Sequence, residues 1–196
     1  MTDQLTDGEK QTLLRLAREA MEHGVCGKKL PPLDNNSITP HLSEHGASFV
    51  TLTIHGLLRG CIGALEAWQP LVDDVREHAM AAALEDPRFR PVDKTELDRI
   101  KIEVSCLTAP HALEYSSSAD LLTKLRPHVD GVILKNDYRR ATFLPQVWDQ
   151  IPDPEDFLDH LCAKMGANPN LWLNTKLQVF VYQVEEFHEM EYHHSV

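Results

Sequence analysis

Basic residues are the first shortage. Nineteen lysines and arginines stand against thirty aspartates and glutamates, for a formal net charge of −11. Duplex-binding proteins neutralise phosphates with Lys and Arg, so this balance argues against nucleic acid as a partner. The local exception, Lys135 with Arg139 and Arg140, reads as a solvated hairpin tip. Long apolar runs are missing as well. No stretch approaches the ~18 residues that cross a bilayer, and Met1–Glu9 lacks a basic region followed by an apolar one. A cytoplasmic protein without membrane contact is the expectation. The four cysteines, Cys26, Cys61, Cys106 and Cys162, are scattered. That excludes a C-x-x-C pair and zinc-type spacing and fits reduced thiols. Cys106 and Cys162 sit in apolar patterns and read as core packing. Also absent are internal repeats, a G-x-S-x-G elbow, and a phosphate-binding glycine loop with a regular βαβ series.

Histidine is plentiful, with eleven in 196 residues, yet it forms no metal motif. His41 and His45 have i, i+4 spacing, but Pro40 and Gly46 mark a loop and no H-E-x-x-H frame surrounds them. His193 and His194, with Glu189 and Glu191, read as a fraying tail. No metal and no cofactor are expected. The carboxylates Asp73, Asp74 and those from Asp153 to Asp159 fall on helix surfaces or N-terminal turns, where they favour the macrodipole and solubility.

At 42% hydrophobic and 25% charged, the chain has the makeup of an ordinary globular protein with a real core. Residues 6–23 read as a helix, opened by the capping-box spacing of Thr6 and Glu9 and stopped at Gly24. A long loop over 27–46 holds a short helical turn near His41–His45. Residues 47–55 and 57–65 form a hairpin around His55-Gly56. Pro70 opens a helix to about Glu85, and Asp86-Pro87 ends it. Residues 100–107 alternate as a strand, and 118–126 read as helical. Val132–Lys135 and Arg139–Leu144 form a second hairpin. Pro145–Gln150 and Pro154–Lys164 read as short helices, the second capped by Asp153 and stopped at Gly166. A last strand covers 177–187. Hairpins dominate this order, so the fold class is α+β, with a largely antiparallel sheet and flanking helices.

The most informative stretch is Leu58-Arg-Gly-Cys-Ile-Gly, residues 58–63. Strand alternation puts Arg59 and Cys61 on one face, where a guanidinium would favour a thiolate. Gly60 and Gly63 leave room for another backbone or a ligand. If strand 57–65 lies near 100–107, Glu103 and Ser105 join that face, and Glu103 suits Arg59 as a bidentate partner. Asp86 and Arg88 stand at a rigid turn and offer opposite charges for a polar ligand, or Asp86 bridges to Arg59. The alternative for Cys61 is a small, buried, inert thiol. A thiolate enzyme also needs a base, and neither His55 nor His78 has spacing that delivers one.

Several motifs taken together resemble one family. They are the 58–63 hexapeptide, Ala81-Ala-Ala-Leu-Glu-Asp-Pro-Arg-Phe over 81–89, Ile102-Glu-Val-Ser-Cys-Leu-Thr over 102–108, Thr142-Phe-Leu-Pro-Gln-Val-Trp, and Phe157-Leu158 through Lys164-Met-Gly. In this order they are similar to the AMMECR-one domain, also called AmmeMemoRadiSam system protein A, over about residues 10–190. The family often has Lys-Ala-Gly where Lys164-Met165-Gly166 stands here. The resemblance implies a single domain over residues 1–196, built of a larger and a smaller lobe with a cleft. It also implies a setting beside Memo-type and radical-SAM proteins. It implies no settled activity.

Two functions follow as expectations. One is an accessory or binding subunit of undetermined biochemical activity, a monomer by default, that recognises those proteins or a small-molecule or peptide ligand. The other is an enzyme using Cys61 as nucleophile or redox thiol, assisted by Arg59. Either way the residues to watch are Arg59, Gly60, Cys61 and Gly63, with Asp86, Arg88, Glu103 and Ser105 around them.

Overall fold

The computed structural model describes residues 4–34 and 38–189. The chain divides into two compact units, residues 1–108 with 185–196, and residues 109–184.

In the larger unit, helix α1 (Asp7–Val25) starts on the predicted cap. Thr6 Oγ1 accepts from the Glu9 amide and the Glu9 carboxylate accepts from the Thr6 amide. The helix runs on past Gly24, because Gly24 is a packing glycine rather than a stop. A Cβ there would collide with the Met80 side chain, and the left-handed residue beyond the helix end is Gly27, at φ 67°. A four-residue helix, α2 (Pro40–Ser43), fulfils the expected turn in the long loop.

Strands β1 (His45–Ile54) and β2 (Leu57–Gly63) form the expected hairpin, with His55 and Gly56 both at positive φ. A two-residue strand, β3 (Gln69–Pro70), leads into helix α3 (Leu71–Leu84). A 3-10 helix over Lys94–Arg99 then delivers β4 (Ile100–Leu107). β4 lies antiparallel to β1, and β9 (Val184–His188) closes the order β2-β1-β4-β9, with β3 against β1. Helices α1 and α3 pack on each other and on this sheet. Val50, Leu52, Ile102 and Val104 supply the buried face of the sheet, and Leu13, Leu16, Val72, Val75 and Ala79 supply the helices.

The smaller unit has its own sheet, β5 (His111–Ala112), β8 (Gln178–Tyr182), β6 (Gly131–Asn136) and β7 (Arg139–Phe143), in that order. Around it lie α4 (Ser118–Lys124), a 3-10 turn over Pro145–Asp149, α5 (Pro154–Lys164) and α6 (Leu171–Asn174). Its largely aliphatic core includes the aromatic rings of Trp148 and Phe157. Trp148 stacks on Phe157 with centroids 3.6 Å apart, and its indole N–H donates to the Asp130 carbonyl at 2.7 Å.

The fold is thus α+β with antiparallel pairing throughout, but in two sheets, where the sequence suggested one. The expected last strand, 177–187, is two strands in different sheets. Apolar alternation passes through Gln183 without a turn signal, so periodicity alone hides the change of partner.

Candidate functional site

β2 is the edge strand of its sheet. Its pairing with β1 matches Thr51 to Cys61 and Leu52 to Gly60, then slips so that Thr53 meets Leu58. Arg59 is the extra residue of a β-bulge, which re-aims a side chain. The bulge breaks the strict alternation from which Arg59 and Cys61 were expected to share a direction. The guanidinium instead grips Glu96, with Nε at 2.9 Å and Nη2 at 3.1 Å from the two carboxylate oxygens, and donates to the Arg90 carbonyl at 3.0 Å. Neither Glu103 nor Asp86 is its partner. Arg59 holds Glu96 down to about 2, helped by the Asp93 amide.

Gly60 has a steric reason. A Cβ there would run into the Ala82 carbonyl, so helix α3 lies directly on the strand backbone. At Gly63 the room is filled by the Phe49 ring. Both glycines do admit close neighbours, from within the chain.

Asp86, immediately after α3, is 5% exposed. Its Oδ2 accepts from the Cys61 amide at 2.8 Å and from Arg88 Nη2 at 2.7 Å, and its Oδ1 from Arg88 Nε and the Arg88 amide. Arg88 Nη2 also donates to the Cys61 carbonyl at 3.3 Å. Two side chains therefore take the place of a neighbouring strand and satisfy both main-chain groups of Cys61 on the open edge. The Arg88 bonds, with those from the Cys61 and Arg88 amides, outweigh burial and hold the Asp86 carboxyl far below its ordinary range. Arg88 in turn is held charged first by Asp86, with the Cys61 sulfur adding to the effect. The cation beside the thiol is Arg88.

Cys61 is half-buried, and Thr51 Oγ1 donates to its sulfur at 3.3 Å. Thr51 also pairs with Glu103 on its other side, so Cys61, Thr51 and Glu103 form a row across three strands. A second row runs Gly63, Phe49, Ser105. The structure thus brings Cys61, Gly63, Glu103 and Ser105 onto the sheet face opposite α1 and α3, as β4 beside the hairpin requires. Burial and then the Glu186 carboxylate raise Glu103 above its ordinary value. Ser105 is buried.

Sequence reasoning missed Glu96 and Thr51. The Asp93-x-x-Glu96 capping box was the available signal for the first, while the second follows only from strand register. It also missed a buried polar group under the sheet, where Ser48 Oγ donates to Asp74 at 2.6 Å and His78 Nδ1 lies 3.1 Å from the same oxygen. There the carboxylate sits between hydroxyl and imidazole, so the order required of a nucleophilic triad is not met. His78 is engaged at Asp74, and His55 occupies the exposed turn. Cys106 and Cys162 are buried as expected, and burial pushes both thiols up.

The metal candidates separate. His41 lies 3.6 Å from Glu9, while His45 opens β1. Glu189 is engaged by Arg18, and Glu191, His193 and His194 lie outside the described residues. Among the described residues no group of three His, Cys, Asp or Glu is placed to hold a metal, and no helix is long and apolar enough to cross a membrane.

Two antiparallel sheets, one with a cysteine-bearing edge strand clamped by an Asp-Pro-Arg turn, give this chain an α+β architecture. The AMMECR1 family model matches residues 14–187. A protein of Methanothermobacter thermautotrophicus is 40% identical over 188 residues, covering 94% of this chain and 96% of that one. One of Methanopyrus kandleri is 38% identical over 200 residues, covering 97% and 93%. The crystal structure of an uncharacterised protein from Pyrococcus horikoshii superposes with a TM-score of 0.71 at 35% identity, covering 91% of this chain and 90% of that one. The chain belongs to the AMMECR1 family.

Proposed function

We propose that this chain is an accessory or binding subunit that works with Memo-type and radical-SAM proteins and recognises them, or a small-molecule or peptide ligand they share, through residues 59–63 and the Asp86–Arg88 clamp. One observation carries the reading. The charges around Cys61 are spent on holding backbone and on each other, Asp86 and Arg88 on the Cys61 main chain and Arg59 on Glu96. Among the described residues neither a histidine nor a carboxylate is hydrogen-bonded to the Cys61 sulfur. A surface stiffened in this way favours recognition, because little order remains to be imposed on binding. The proposal takes residues 1–196 as one functional domain, acting as a cytoplasmic monomer. The test is binding of purified Memo-type and radical-SAM proteins by calorimetry. Binding should occur, weaken at least tenfold in Arg88→Ala, and survive in Cys61→Ser. No binding to either partner overturns the proposal.

The partly exposed Cys61 beside Arg88 favours one second reading, an enzyme that uses this residue as its nucleophile or redox thiol. Its test is alkylation of Cys61 against pH, followed by peptide mass spectrometry. Fast reaction well below pH 8, abolished in Arg88→Ala, supports an activated thiolate. Reaction only in denaturant removes that reading.

A further inference from the structure

The residues that follow the hexapeptide have no part in the site above. The Ala64 amide donates to the Ser48 carbonyl, and Gln69 pairs with Gly46. Strand β1 has one residue between those two positions, Ala47, while the facing chain has four, Leu65 to Trp68. The surplus leaves the edge of the sheet as a bulge, a device that re-aims side chains. This bulge ends on Trp68, which is 74% exposed. The other two tryptophans, Trp148 and Trp172, are buried. An indole left in water adds nothing to the burial that drives folding, whereas exposed tryptophans are frequent anchors of protein interfaces.

The charge around the bulge has one sign. No Lys or Arg occurs from Leu30 to Leu58 or from Gly60 to Val75. The next cation, Arg76, is buried and donates to the Pro31 carbonyl. Along the same edge Arg59 and Arg88 are taken up by Glu96 and Asp86. Carboxylates flank the bulge instead. Gln69, the neighbour of Trp68, donates to Glu77 Oε2 at 2.6 Å, which leaves Oε1 open among the described residues. Glu44 stands where the Leu71 amide meets its carbonyl, at the far end of β3. Both glutamates are exposed.

We propose that the Leu65–Trp68 bulge docks a basic segment of a partner protein, with a lysine or arginine side chain laid over the Trp68 ring in the field of Glu44 and Glu77. Indole is the best of the aromatic faces for a cation, and the two carboxylates steer and orient a positively charged segment. Nucleic acid and anionic lipid are repelled by the same charges. The surface lies outside residues 59–63 and 86–88, so it stands or falls apart from the function proposed above.

The test uses the full chain and a blocked heptapeptide of alternating lysine and serine, with a copy in which glutamate replaces lysine. Acrylamide quenching of tryptophan fluorescence reads Trp68, because the other two indoles are buried. The lysine peptide should protect Trp68 saturably at physiological ionic strength, and the glutamate copy should not. In 15N NMR the shifts should centre on residues 44–46, 64–69 and 77. Trp68→Ala should weaken binding at least tenfold and Glu77→Gln at least threefold, while Trp68→Phe, which keeps a ring, recovers part of the loss. Trp68→Ala should melt with the parent, since the indole is exposed, so the loss is one of binding. Unchanged binding of the lysine peptide in Trp68→Ala, or equal binding of the glutamate copy, overturns the surface. Spermidine protecting Trp68 as strongly as the peptide gives the face to a small polycation. Protection that rises with protein concentration alone gives it to a second copy of the chain. Either result overturns the basic partner.

Discussion

At the scale of single residues, the candidate site is held by Asp86. Its carboxylate is buried and carries four hydrogen bonds, one of them from the Cys61 amide. Asp86→Ala leaves buried donors without an acceptor, and a cost of about 2–4 kcal/mol is expected. Arg88 is more than half exposed at its side chain, so Arg88→Ala should cost about 1 kcal/mol or less. Urea unfolding of the two variants checks the order. If Arg88→Ala proves the more destabilising, the edge is held by the guanidinium rather than the carboxylate. Gly60→Ala tests the other side of the strand. The obstacle is the Ala82 carbonyl, part of a helix backbone that cannot swing aside, so a loss of about 2 kcal/mol or more is expected.

Among the elements, legibility followed locality. The α1 cap, the His55-Gly56 turn and the 100–107 strand were readable because each rests on neighbours in sequence. The bulge at Arg59 was not, since register slips depend on the partner strand. From the sequence Arg59 therefore looks like the activator of Cys61, and Arg88, 27 residues from Cys61, like a charge offered to a polar ligand. The split of 177–187 escaped for the same reason, because two partner sheets cannot be told apart by period. Glu9 shows how a local signal can carry a distant contact. Its capping role was legible, but its carboxylate also accepts from Thr39 Oγ1 at 2.6 Å, at the N-cap of α2. One side chain thus ties together the starts of two helices. Thr6→Ala should cost about 1 kcal/mol, the usual worth of an N-cap, and Glu9→Ala about 2 kcal/mol, since both caps lose a partner. Equal costs in urea unfolding would reduce Glu9 to an ordinary capping-box residue.

For the whole molecule, the distribution of depressed carboxyls sets the response to acid. Burial acts to raise Glu9, but bonds from Thr39 and Thr6, with His41 nearby, leave it below its ordinary value. The Arg59 bonds hold Glu96 at about 2, and those of Arg88 hold Asp86 far down. All three belong to the larger unit. In the smaller unit Asp120 is also lowered to about 2, chiefly by the Ser116 amide, but it sits in an exposed i, i+4 pair with Lys124, where such a shift is worth little. A carboxyl depressed in the folded state contributes stability that is complete above its unfolded value, near 4.5 for Glu and 3.8 for Asp. That stability is lost as pH falls towards the folded value. Lowering the pH from about 5 to 2 should therefore weaken the larger unit first. Amide hydrogen exchange followed by NMR would read this directly, with protection in α1, β1, β2 and β4 falling before that in β6 and β8. Glu96→Gln should flatten the acid response of the larger unit, because the variant has no proton to gain there. Simultaneous loss of protection in both units would mean that acid acts on the chain as one cooperative body, and the three carboxyls would then not be the local cause.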